Sequence, residues 1–232
     1  MRRFIKMIML DIRAMSIAGF VPMVMVAILT VYGIFMYKSA PDELAKNFVN
    51  TVLYFSQRLL PPLASWWIIM SFHPYVEDEG AEVLFSCGYS RRLLGIGRVV
   101  TFLILFQVII VISCAALVLF KVIGIYELFT FSLILFLQSC FYGCAGFLLV
   151  ILERSGLWAL ASMLLLIYMN IWGGIPVISK YFSVTVELDR GLSIGSVWMK
   201  LMSLAILSCL FMYIGQKLFD KYRYKSLRVK SS

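Results

Sequence analysis

Apolar stretches about 20 residues long recur along this chain, and that recurrence limits its fold more than any other feature. They run over Ser16–Tyr37, Val52–Phe72, Val99–Phe120, Leu128–Leu152, Leu157–Ile175 and Val197–Leu218. A helix rising about 1.5 Å per residue needs roughly 20 such residues to cross ~30 Å of hydrocarbon. Lipid offers the backbone no hydrogen-bond partners, and the stretches lack the short alternation of a β-barrel, so each is expected to be helical. Hydrophobic residues make up 62% of the 232 and the mean hydropathy is +0.94, a composition that argues against a soluble fold. The expected class is an all-α integral membrane protein with six transmembrane helices.

Charge sets the expected orientation. With both termini in the cytosol, 14 Lys and Arg residues lie inside and 7 outside, in keeping with the positive-inside rule and an even number of spans. Arg98 counts among the inside residues, next to Arg91 and Arg92. The net charge of +9 comes largely from these flanks. The basic tail at 219–232 directly follows a span, so its expected partners are anionic lipid headgroups and no nucleic acid. Residues 2–13 read as an interfacial helix, with Phe4, Ile5, Ile8 and Ile12 on one face and Arg2, Lys6 and Arg13 on another. Arg2-Arg3 resembles a twin-arginine signal, but the apolar run after it is long and no small-residue cleavage site follows, so the segment is expected to be retained.

The connections differ in character. The outer loop Lys38–Thr51 is polar, with Ser39 or Asp42 as a cap for a short helix, and Pro61-Pro62 should kink or start the second span. Arg58 near that span's outer end is expected to snorkel to the headgroups. Tight links are expected at Lys121–Glu127 and Glu153–Gly156. The segment 173–195, opening Gly173-Gly174-Ile175-Pro176, mixes apolar and charged residues and reads as re-entrant, dipping into the outer leaflet. Cys87, Cys114, Cys140, Cys144 and Cys209 are scattered, which argues against a disulfide framework. Cys140 and Cys144 share a helix face with no His or carboxylate beside them, so small-residue packing is expected there and no metal. The whole of 1–232 reads as one membrane domain.

The only long cytosolic connection spans Phe72–Arg98, with its core at 76–92. It holds the acids Glu77, Asp78, Glu79 and Glu82, then Val83-Leu84-Phe85, then Ser90-Arg91-Arg92. A short helix from about Glu79 to Cys87 would carry acids at its positive end and Gly88 as its cap. An apolar strip between charged ends suits docking to a cytosolic partner.

Here the chain resembles the permease subunits of type-2 ABC exporters. Their second and third spans are joined by a segment reading approximately Glu-x-x-Gly-Thr, leucines, Pro-x-Ser-Arg and Gly-Lys. Glu77–Gly80 supplies the Glu-x-x-Gly, Leu84-Phe85 the apolar core, Ser90-Arg91 the Ser-Arg, and Gly97-Arg98 stands where Gly-Lys is usual. Ala81 replaces the threonine, and Gly88 sits near the usual proline. The resemblance implies an interfacial elbow helix at the N-terminus and a coupling helix seated on a separate ATPase, with Glu77, Glu79, Gly80, Glu82, Leu84, Phe85, Ser90 and Arg91 in contact. The chain has no Gly-x-x-x-x-Gly-Lys-Ser/Thr loop, so ATP and Mg are expected in the partner and no cofactor here. The implied assembly is an ABC ATPase dimer with two permeases, either two copies of this chain or this chain and a relative. It belongs in the cell (plasma or inner) membrane of a bacterium.

The span centres lack the ionisable groups that ion-coupled carriers use. Gln107, Gln138 and Asn170 read as interhelical glue, or, with Trp66, Trp67 and Trp172, as the lining of a path for an amphipathic peptide, drug or lipid-like substrate. His73 is the single histidine, beside Pro74, which leaves a metal hydrolase without ligands and the chain itself without an expected catalytic residue. Competing expectations are the substrate-binding membrane component of an ATP-coupled vitamin importer and a membrane scaffold without transport activity.

Overall fold

The computed structural model describes residues 9, 11–13, 15–39, 42–76, 93–172 and 194–229, with the side chains of 16, 18, 42–55, 169–172, 194–197 and 222–229 outside the description. The described residues are helical, with turns between helices. A short 3₁₀ turn, Ser16–Gly19, leads into α1 (Val21–Ser39), followed by α2 (Asp42–Val76). A π-turn, Leu93–Gly97, runs directly into α3 (Arg98–Leu119). Next come α4 (Ile125–Glu153), α5 (Gly156–Trp172) and α6 (Ile194–Val229). Among the described residues, four helical stretches are long and apolar enough to cross a membrane: Val21–Ser39, Leu93–Leu119, Ile125–Glu153 and Trp198–Lys221. Large apolar side chains such as Val31, Phe35, Ile104, Ile112, Leu165 and Ile206 point outward. Such a surface needs lipid around it, and the chain is a multi-pass helical membrane protein.

The second apolar stretch departs from its expected bounds. The helix reaches back to Asp42 and runs through Pro61 and Pro62, which neither start nor end it. The bundle around a proline can satisfy the carbonyls it frees. Ser65 Oγ donates to Pro62 O at 2.6 Å. Ser39 is the last residue of α1, and its hydroxyl bonds back to Phe35 O at 2.9 Å rather than capping the next helix.

The short links are found at the expected places. After α3 the chain turns in a Schellman motif: Lys121 takes φ 58°, Val122 N–H bonds to Leu117 O at 2.9 Å and Lys121 N–H to Val118 O at 2.9 Å. Leu117 and Val122 are both buried, closing the motif with an apolar contact. Gly124 N–H then donates to the Glu127 carboxylate at 2.8 Å, fixing the start of α4. Arg154, in the left-handed region at φ 54°, ends α4 before α5.

Helix α4 is the axis of the bundle, packing against α2, α3, α5 and α6. Of its most apolar stretch 67% is buried, against 17% for α1. Small residues allow this. A Cβ on Gly146 would lie 2.9 Å from Ser65 Cβ and 3.2 Å from its Cα, and one on Gly143 would meet Leu103 and Ile68 at 2.7 and 2.8 Å. Close backbone approach through small residues is how membrane helices gain van der Waals contact without a hydrophobic driving force. Cys144 of α4 is fully buried. Cys114, Cys140, Cys144 and Cys209 are unbonded thiols, and no group of three metal-ligating side chains occurs among the described residues.

Candidate functional site

One end of the bundle gathers polar groups from three parts of the chain. The Asp11 carboxylate accepts the Arg98 Nη2–H at 2.8 Å and the Tyr75 hydroxyl at 2.7 Å, both on Oδ1. Arg98 is 0% exposed and Asp11 2%. The guanidinium also rests on two rings one helical turn apart on α2, its Cζ 4.3 Å from the Tyr75 centroid and 5.4 Å from that of Phe72. Below it Phe72 packs on Phe147 of α4 at 5.0 Å and edge-on to Phe219 of α6 at 6.1 Å. A Cβ on Gly156, at the head of α5, would lie 2.7 Å from the His73 ring. The segment before α1, the end of α2, the start of α3 and α6 at Phe219 therefore meet at one node.

A buried charge pair holds only with good geometry and further hydrogen bonds, because each ion gives up its hydration. Here a direct bond, a phenol donor and two aromatic faces do this for Asp11 and Arg98. Burial pushes the Asp11 carboxyl above its ordinary value of 3.8, opposed by the Arg98 charge and by the hydrogen bonds from Tyr75 and Arg98. The Tyr75 hydroxyl is a donor to Asp11 Oδ1. Asp11 Oδ2 and Arg98 Nε and Nη1 are buried without a hydrogen-bond partner. The sequence reading counts Arg98 among the inside basic residues and gives it no partner; the structure supplies one, because Asp11 holds its charge within the protein.

The node brackets the segment the sequence singles out. Tyr75 and Arg98 stand at either side of 77–92. Glu77, Glu79, Gly80, Glu82, Leu84, Phe85, Ser90 and Arg91 themselves lie outside the described residues, as do residues 173–193 of the expected outer segment 173–195, whose last two residues open α6, and most of the N-terminal interfacial stretch. Residues 11–13 of that stretch are helical.

The residues read as a possible path are spread over the bundle. Trp67 is buried, its Nε1–H donating to Gly19 O at 2.6 Å, with edge-on contacts to Phe102 and Phe106 at 5.9 and 6.0 Å. Trp66 is half-buried beside the core. Gln107 Nε2 donates to Ser132 Oγ at 2.9 Å and Ser132 O at 3.2 Å, linking α3 to α4. Gln138 Nε2 reaches Gln57 Oε1 at 3.4 Å, linking α4 to α2. The Thr30 and Ser113 hydroxyls are paired between α1 and α3. The Asn170 and Trp172 side chains lie outside the description.

Asp11 and Tyr75 escaped the sequence reading. The signals were an acid in an otherwise basic N-terminal stretch and an aromatic spacing, Phe72-His73-Pro74-Tyr75, at the end of an apolar run. Neither reveals a partner far along the chain. No family model matches the chain, and neither a curated protein nor a solved structure does.

Proposed function

We propose that the chain is the membrane-spanning permease subunit of an ATP-driven exporter of the type-2 ABC kind, moving an amphipathic substrate such as a peptide, drug or lipid. In this reading α1 to α6 are six spans, both termini are cytosolic, and the 76–92 connection docks on a separate ATPase that holds ATP and Mg. A second permease, either another copy or a relative, completes the pathway in the cell membrane.

The observation that carries this reading is the buried node at the two ends of the connection. A segment that receives motion from a motor must hand it to the bundle through a stiff joint. Tyr75 and Arg98, clasped to one carboxylate oxygen at 2.7 and 2.8 Å, form such a joint. Asp11 extends it to the segment ahead of α1, and Phe72 to α4 and α6. Closure of the ATPase would shift these elements as a rigid body. Gln107 and Gln138 act as interhelical glue, which leaves a largely apolar interior suited to an amphipathic substrate.

The test is to purify the tagged chain from its native membrane in mild detergent and identify its companions. A stoichiometric soluble protein with a phosphate loop is expected. Replacing Glu79 or Gly80 should leave insertion intact and abolish transport together with substrate-stimulated ATP hydrolysis. Unaltered transport in those variants, or no ATPase even after cross-linking at Cys87, overturns the assignment.

A further inference from the structure

A second joint lies beside the first and ties the C-terminal helix to the opening of α3. Leu93–Gly97 forms a π-turn with two glycines, residues that yield easily to a widened helix. Ile96 N–H in that turn donates to Gln216 Oε1 of α6 at 3.0 Å. Gln216 is buried, and its Nε2–H donates to Asp220 Oδ1 one turn on at 3.0 Å. That second bond fixes which way the amide faces: the oxygen points to Ile96 and the nitrogen to Asp220. The seat is shaped as well as polar. A Cβ on Gly95 would overlap Gln216 Oε1 and crowd its Cδ at 3.0 Å. Residue 95 must therefore lack a side chain for the amide to reach the backbone.

We propose that Gln216 is a positioning residue that clamps α6 to the π-turn, so that the start of α3 and the Gln216–Asp220 turn of α6 move as one body when the 77–92 connection is displaced. This rests on the exporter reading. Three features converge on it: the hydrogen bond to Ile96, the vacancy at Gly95 and the orienting bond to Asp220. None is needed for helix formation, because α6 continues to Val229, well past this contact.

The experiment uses the full chain in lipid nanodiscs with its co-purified ATPase, and follows both hydrogen exchange over 93–98 and substrate moved per ATP hydrolysed. Gln216→Leu removes the acceptor from one side, and Gly95→Ala expels it from the other. Both are expected to speed exchange at Ile96 roughly fivefold to tenfold, as loss of one hydrogen bond implies, and to lower the transport yield per ATP by a similar factor. The double variant Q216E/D220N keeps an acceptor for Ile96 and supplies a donor at 220, and is expected to restore both readouts. A purely structural role would not link the yield to the rescue. Unchanged exchange in both single variants overturns the clamp. Faster exchange with an unchanged yield, or a rescue of exchange without rescue of yield, overturns the coupling role. If the parent chain recruits no ATPase, the exporter reading and the coupling role fall together, while exchange still decides whether the clamp exists.

Discussion

The Arg98 guanidinium lies 2.8 Å from Asp11 Oδ1 with both side chains shut away from solvent, joining residues 87 positions apart in the chain. The pair stitches the segment before α1 to the first residue of α3. Tyr75, held on the same oxygen, brings in the end of α2.

Removing one member should be costly. Asp11→Ala leaves a buried guanidinium without its counter-charge and is expected to destabilise by about 3–5 kcal/mol, whereas D11L/R98M, which removes both charges, should recover most of that loss. Thermal unfolding of the detergent-solubilised chain checks this, and an equal loss in the double variant would show that packing, not charge, dominates.

The pH dependence has a definite sign. A carboxyl whose pKa is raised on folding binds its proton earlier in the native state, so its contribution to stability is present below 3.8 and is lost as pH rises through the raised value. The advantage of the parent over Asp11→Asn should therefore grow as pH falls toward 3.8, then level off. An advantage that shrinks on acidification would mean that Arg98 outweighs burial.

The α2–α4 contact gives a steric prediction. Gly146→Leu forces side-chain atoms into the Ser65 backbone and is expected to cost about 1–3 kcal/mol as overpacking. Gly124→Ala, whose Cβ would meet only the Glu127 carboxylate at 3.6 Å, serves as the control and should unfold close to the parent. Similar melting of both variants would contradict the close approach.

Gln107 separates the glue and path readings. Gln107→Leu breaks its bonds to Ser132 and is expected to cost about 0.6 kcal/mol, the average for a hydrogen bond between membrane helices, and no more than ~1.7 kcal/mol, with substrate affinity unchanged. An affinity shift larger than the stability loss would put Gln107 on the path.

The helical class and the approximate spans could be read locally, because membrane-crossing length and apolarity are properties of consecutive residues. The stretch Val99–Phe120 and the helix Arg98–Leu119 nearly coincide, and the links around Lys121 and Arg154 fall where charge and glycine interrupt the apolar runs. At α2 local rules left open whether Pro61-Pro62 kink or start the span, and the helix begins well before them and continues through them within the packed bundle.

The candidate site divides the same way. The Glu77–Arg91 segment stands out in the sequence because acids, an apolar strip and a Ser-Arg pair follow one another. That Arg98 is an internal ion paired with Asp11, and that Gln216 reaches a backbone N–H at Ile96, depended on tertiary structure. The energy of a buried charge or amide is set by the group that meets it, and here those partners come from distant helices that only the packing around α4 brings to one end of the bundle.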